Sequence, residues 1–433
     1  MDADLIAIGG FVVLFVLAAL RVPIGVAMGI VGVGGFAMIV GTGPALRQLS
    51  LSTLRSASSE TFGLVPMFLL MGSIATASGM SAELFKAANT WLGHRRGGLA
   101  TATITACGGF AAICGSSVAT AVTMTRVALP EMRGRGYSDA VATGTIAAGG
   151  TLGILIPPSI VLAIYGLITE QDIGKLFIAG VVPGLLTMTL FIVTIQIIGW
   201  VSPATMPAAG TPSSRRARLH ALGGVWAIGL LFLFVIGGIY IGLFTPTEAA
   251  GAGAAGAFII SVARRRLSFS ALVGCLVEAI RTTASVFIIL IGAVMFGYFL
   301  AVTQTTQKIT AALIDLGLGA YPTLGLILVL YFFLGCVLDA LAMVVLTVPI
   351  LLPVILELGF DPIWFGVIVV VAAELALITP PVGMNVFVIN SVVRDISLVT
   401  IFRGALPFVV TEAVVLILLV VFPAIVLFLP SRM

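Results

Sequence analysis

Long apolar runs recur along the whole chain, separated by short polar stretches. Uninterrupted runs lie near 5–20, 23–41, 62–80, 176–200, 223–242, 246–263, 283–302 and 405–428. Runs of about 18 or more apolar residues predict membrane-spanning helices. They are continuous rather than alternating, which excludes a β-barrel. Residues 44–60 (with Arg47, Arg55 and Glu60), 81–93 (ending past Trp91) and 303–318 mix polar and apolar positions. The first of these is expected along the interface. Four further stretches are long and apolar but broken inside: 97–130 at Gly115-Ser116-Ser117, 140–168 at Pro157-Pro158, 322–356 at Asp339, and 363–392 at Pro380-Pro381. Broken backbone at membrane depth is tolerated only where it is buried in protein or lines a cavity. The pattern therefore predicts an all-α polytopic protein with two re-entrant hairpins and two discontinuous helices facing a common site.

The breaks come in two copies. Pro157 and Pro380 lie 223 positions apart, and the same ungapped offset carries Pro130 onto Pro353, Gly136-Tyr137 onto Gly359-Phe360, Asp172 onto Asp395 and Ser116 onto Asp339. If both hairpins dip in and return, the loops bearing Arg95/Arg96, Arg133/Arg135, Arg215/Arg216/Arg218, Arg264/Arg265/Arg266 and Arg394/Arg403 share one face. The opposite face keeps Arg47, Arg55, Lys175, Lys308 and Arg432. The positive-inside rule makes the rich face cytoplasmic and places both termini outside. One hairpin then opens to each side. The repeat is inverted, as in secondary transporters that bind substrate between discontinuous helices.

Composition adds limits. The 433 residues are 60% hydrophobic and 9% charged, with mean hydropathy +1.25, which excludes a soluble domain. The net charge of +4 sits in short loops and carries orientation rather than nucleic-acid binding. Asp2 and Asp4 replace the basic start of a signal peptide, so the first span is expected to be retained. Cys107, Cys114, Cys275 and Cys336 lack metal spacing, and His94 and His220 sit in loops beside arginines. Gly251 to Gly256 fits a dinucleotide fingerprint but lies in a span, where it reads as helix packing, like Gly25/Gly29 and Gly238/Gly242. Walker A, HExxH and GxSxG motifs are absent, so ATP-driven pumping and hydrolysis of those kinds find no support.

Broken helices free carbonyls that can hold a cation and amides that attract a carboxylate. Ser116, Ser117 and Thr120 add hydroxyls at the first tip, and Thr151, Gly153 and Ile156 precede the first proline pair. Asp339 stands at the second tip, and Glu374, Thr379, Gly383, Met384 and Asn385 surround the second pair. Ionisable groups in apolar runs are costly and default to functional candidates. Structural roles compete: Asp339 and Glu374 could pair with Arg126 or cap helices, and the hydroxyls could bond back to their own helices.

The runs Ala112-Ile113-Cys114-Gly115-Ser116-Ser117-Val118-Ala119-Thr120-Ala121, Ala128-Leu129-Pro130-Glu131-Met132-Arg133, Gly149 through Ser159, Gly174-Lys175-Leu176-Phe177 and Ile378 through Phe387 resemble the large membrane subunit of tripartite ATP-independent periplasmic (TRAP) transporters. The resemblance spans essentially the whole chain. It implies a sodium-driven importer of organic acids, such as C4-dicarboxylates or sialic acid, in a bacterial or archaeal cytoplasmic (inner) membrane. It implies a small four-helix membrane subunit and an extracytoplasmic solute-binding protein as partners, and an elevator mechanism. The expected sodium ligands are Ser116, Ser117, Gly153, Ile156, Pro158, Asp339, Ala376, Thr379 and Pro381. The expected substrate contacts are Thr120, Thr151, Glu374, Gly383, Met384 and Asn385. Residues 97–175 and 319–398 form the expected moving parts. Residues 1–96, 176–318 (with the basic linker 201–222) and 399–433 form the expected scaffold. A stand-alone sodium/divalent-anion symporter shares these features but needs no binding protein. A channel would conduct without organic substrate, and an enzyme would need a catalytic set that the sequence does not offer.

Overall fold

The computed structural model describes residues 3–207, 210–335 and 338–433. Asp2 and Cys336 lie outside the described residues. The described residues form helices α1 (Ala3–Ala19), α2 (Ile24–Val40), α3 (Thr42–Ser58), α4 (Leu64–Ala77), α5 (Met80–Leu92), α6 (Gly98–Cys114), α7 (Ser117–Gly134), α8 (Asp139–Leu155), α9 (Ile160–Thr169) and α10 (Ile173–Val201). The second series comprises α11 (Arg215–Tyr240), α12 (Pro246–Ala263), α13 (Phe269–Val302), α14 (Thr305–Asp315), α15 (Ala320–Gly335), α16 (Ala340–Glu357), α17 (Pro362–Leu377), α18 (Met384–Val392) and α19 (Leu398–Val421). A short helix, Ala424–Leu427, and a 3-10 turn, Pro430–Arg432, follow.

The two series are copies, and the repeat runs further than the proline pairs alone suggest. Adding 223 to Ser117–Gly134 gives Ala340–Glu357, so α7 and α16 agree at both ends. Gly136 and Gly359 both have positive φ, 84° and 78°, which glycine adopts without steric cost. Ser138 and Asp361 both cap the next helix through side-chain oxygens. Pro23 leads into α2 as Pro246 opens α12, so the register extends through the first spans as well.

One pair of segments departs from the copy. Repeat one breaks between α3 and α4 at Ser59 through Gly63, whereas α13 runs uninterrupted for 34 residues. The matching positions 282–286 hold Thr-Thr-Ala-Ser-Val, with no glycine or proline to stop a helix. Residues 269–282, ahead of the apolar run 283–302, are therefore the first part of the same helix.

Packing separates two groups. In one, α2 crosses α13 so closely that a Cβ on Gly25 would lie 2.6 Å from Ile289 Cα and one on Gly32 2.5 Å from the Met295 carbonyl carbon. Small residues permit such approach where lipid supplies no hydrophobic drive between helices. α1, α4, α11 and α12 complete this group, with Gly253 seated on Met71 and Val235. In the other group, α6, α7 and α19 pack on α8, α15 on α17, and α9 on α16. The resemblance implies that the spans of α10 and α19 belong to the scaffold. In the structure they pack on α8, α9, α17 and each other, and Gly404 of α19 seats against the Ala140 carbonyl of α8. Hydropathy registers only that a helix is apolar, not which neighbour it meets.

Loop contacts sort the faces. Arg133 bridges Asp139 and Asp395 at 2.7 Å each, Trp91 Nε1 donates to the Arg218 carbonyl, and Gly210 N donates to the His94 carbonyl. These arginine-bearing loops share one face. On the other, Lys308 pairs with Asp4 and Trp364 donates to the Leu419 carbonyl. Hairpin α6–α7 opens to the first face and hairpin α15–α16 to the second.

Candidate functional site

The first tip is built by a stop and a start. α6 ends at Gly115 with φ +64°, and Ser116 caps α7 by accepting from Ala119 N at 3.4 Å. Asp339 does the same for α16, accepting from Ala342 N at 2.9 Å. The expected correspondence of Ser116 with Asp339 is thus a correspondence of caps. Arg126 forms no ion pair with Asp339 among the described residues.

The proline pairs break the other two helices. Pro157 and Pro158 carry no N–H, so the carbonyls of Gly153 and Ile154 lose the donors an intact helix would supply. Pro380 and Pro381 deprive Ala376 and Leu377 in the same way; Ala376 O accepts from Thr379 N instead, at 3.2 Å. Both proline pairs are joined by cis peptides. The first break is docked on the first tip. A Cβ on Gly153 would lie 2.5 Å from Ser116 O, and one on Gly115 would lie 2.6 Å from Pro158 O. Glycine is the residue that lets these strands of backbone approach.

Both tips line one cavity of about 320 Å³. Ser116 and Ser117 enter from one side, Asp339 and Ala340 from the other, and Ile154, Leu377 and Met384 supply the edges of the breaks. A larger cavity, about 690 Å³, shares Ser116, Val118, Leu69 and Thr282 with it. It runs along α4, α7 and α13 past Arg126 and Glu278 to Ala77 and Ala271, near the ends of α4 and α13 on the arginine-rich face. The path is polar at one end, with Arg126 and Glu278, and at the other reaches Ile154 and Leu377, whose carbonyls lack helical donors.

The remaining candidates fall into two sets. Thr120, Thr151 and Thr379 are buried and donate to Ser116 O, Ala148 O and Leu375 O of their own helices. Their oxygens keep acceptor capacity. Asn385 is buried, donates to Ala147 O at 3.5 Å, and its Nδ2 lies beside Gly150; its Oδ1 has no partner among the described residues. Ile156, Pro158, Ala376, Pro381 and Gly383 flank the breaks without lining the tip cavity. Glu374 does not reach that cavity either. It is wholly buried and within charge range of Glu412 on α19, and neither carboxyl has a hydrogen-bond partner among the described residues. The sequence reading missed Glu412, although an acid within the span 405–428 carries the same signal that singled out Glu374. It also missed Glu278, which becomes a cavity residue because α13 and α7 line the same cavity.

An inverted helical repeat whose two hairpin tips share one cavity beside broken helices is the architecture of a membrane transporter. Residues 11–425 match the family described as "Tripartite ATP-independent periplasmic transporter, DctM component". The C4-dicarboxylate TRAP transporter large permease protein DctM of Pseudomonas aeruginosa is 38% identical over 399 residues, 92% of each chain. The sialic acid TRAP transporter large permease protein SiaM of Vibrio cholerae is 35% identical over 369 residues, 85% of each chain. The isethionate TRAP transporter permease protein DctMQ of Oleidesulfovibrio alaskensis is 34% identical over 428 residues, 97% of this chain but 65% of that one. Among solved structures, the Alcanivorax borkumensis YdaH transporter superposes with TM-score 0.63 at 15% identity, covering 96% of this chain and 98% of that one. This chain belongs to the TRAP transporter family as a large permease component. It is a transporter, not an enzyme.

Proposed function

We propose that the chain is the permease of a sodium-driven, binding-protein-dependent importer of an organic acid. The observation that carries this reading is the shared cavity of Ser116, Ser117 and Asp339, set against carbonyls that the proline pairs leave without helical donors. Sodium would sit among Ser116, Ser117, Gly153, Ile156 and Pro158 on the first side, and Asp339, Ala376, Thr379 and Pro381 on the second. Thr120, Thr151, Gly383, Met384 and Asn385 would face the carboxylate solute, with Arg126 drawing it along the larger cavity. Each sodium entering contributes about 2.3 kcal/mol per 100 mV, so two or more offset import of a dianion. The relatives named for C4-dicarboxylate, sialic acid and isethionate support an acidic solute class.

Movement would be of elevator type. α6–α10 and α15–α19 slide against α1, α2, α4 and α11–α13, the division that packing supports. The arginine-rich face would be cytoplasmic and both termini periplasmic, a reading that loop charge supports. A small four-helix membrane subunit and an extracytoplasmic binding protein would complete the complex. The test is uptake of labelled organic acids into proteoliposomes holding this chain and its small partner, with and without binding protein and an inward sodium gradient. Uptake only when both are present supports the proposal. Sodium-driven uptake without binding protein means a self-sufficient symporter and overturns it.

A further inference from the structure

Away from the tips, α5 meets the start of α11 and the end of α12 around a pocket of about 650 Å³ on the arginine-rich face. Glu83, Lys86, His220, Arg264 and Arg266 line it. One oxygen of Glu83 holds two guanidiniums, with Arg264 Nη2 and Arg266 Nη1 each at 2.7 Å. Lys86, Arg264 and Arg266 against the single carboxylate of Glu83 leave excess positive charge in a concave wall. Arg264 Nη1 and Glu83 Oε2 are both shut from solvent and without a hydrogen-bond partner among the described residues, so the inner end of the cluster is enclosed and Lys86 and Arg266 carry the accessible charge. The bottom is close-packed: a Cβ on Gly224 would lie 3.5 Å from Glu83 Cβ.

The surroundings identify the ligand's second half. Leu219 in the pocket wall is 67% exposed, and Leu222 and Trp226 continue an exposed apolar stripe down α11. Ile259 and Val262 do the same on α12 just before Arg264. A free anion needs the cations only; an anionic head on acyl chains also needs the stripe. Juxtamembrane basic pockets attract anionic lipid heads on the side where arginine-rich loops gather.

We infer that the α5–α11–α12 pocket binds the phosphate head of an anionic phospholipid, its acyl chains lying along α11 and α12. α5 is also the joint between α4 and the first hairpin, and its Leu84 would lie 3.2 Å from a Cβ on Gly109 of α6. A lipid held there braces the joint from the lipid side.

The test uses the full chain in detergent, titrated with phosphatidylglycerol, with phosphatidylcholine, or with phosphatidylglycerol against orthophosphate, and bound lipid read by native mass spectrometry. Wild type should retain phosphatidylglycerol in preference to phosphatidylcholine, and millimolar orthophosphate should not displace it. Lys86→Gln with Arg266→Gln should weaken phosphatidylglycerol binding about 30-fold, about five-fold per charge. Lys86→Arg with Arg266→Lys should retain it; unchanged elution and melting temperature show that both variants fold. Equal retention of the two lipids, or wild-type binding by the charge-removed variant, overturns the inference. Displacement by orthophosphate overturns it in favour of a free-anion site.

Discussion

At the residue scale, Asp339 has two jobs that substitution can separate. As cap of α16 it contributes about 1 kcal/mol, a role that asparagine also fills. As a proposed sodium ligand it needs its charge. Asp339→Asn should therefore keep thermal stability near wild type while raising the sodium concentration for half-maximal uptake several-fold; Asp339→Ala should lose both. Unchanged sodium dependence in Asp339→Asn would remove this carboxylate from the cation site. Ser117 lines the cavity without serving as a cap, so Ser117→Ala should weaken sodium dependence with little effect on melting.

Arg133 offers a pH test at the same scale. Its guanidinium beside Asp395 holds that carboxyl below the usual carboxylate range. A carboxyl lowered on folding adds stability above its unfolded value of about 3.9, and loses it as pH falls through the folded value. Asp395 is largely exposed, so the effect is small and weakened by salt. The gap in melting temperature between wild type and Arg133→Gln should be present at pH 6 and shrink below about pH 4. A gap that stays constant through that range would mean that packing, not the ion pair, sets it.

At the element scale, the α2–α13 crossing depends on missing side chains. Gly25→Val would drive atoms into the backbone at Ile289 and should cost about 1–3 kcal/mol, read as a lower melting temperature in detergent. Gly34 of the same helix has nothing within 4 Å of a built Cβ, so Gly34→Ala serves as the control and should be near neutral. Equal loss in both would indicate a general intolerance of α2 rather than a close crossing. The sequence showed that glycines recur in these spans, but a glycine spacing is only a weak contact motif. Gly25 faces α13 from inside α2, while Gly242 lies in the turn after α11 with φ +73° and open space around it.

At the scale of the whole molecule, the boundary between the two packing groups can be locked. Gly72 on α4 lies against Cys114 at the end of α6, its built Cβ 3.1 Å from Cys114 Cα. Gly72→Cys should form an oxidant-dependent disulfide with Cys114 that stops uptake and is reversed by reductant. Transport at full rate by the cross-linked protein would show that the boundary does not slide.

Local chemistry, with lipid as the solvent, made much of this protein legible in its residues alone. Apolar run length decides spans, prolines without N–H decide where helices break, and capping residues at Ser116 and Asp339 decide where the returning helices start. Because the second half repeats this chemistry at one offset, the inverted repeat was legible too. Other outcomes needed the folded chain: which broken ends share a cavity, that α10 and α19 pack on α8 and α17, that Glu374 lies within charge range of Glu412, and that Glu83 gathers two arginines into a pocket. They depend on contacts between residues tens to hundreds of positions apart. In a chain that is apolar almost everywhere, hydropathy fixes that a helix is buried in lipid or protein but not which neighbour it meets.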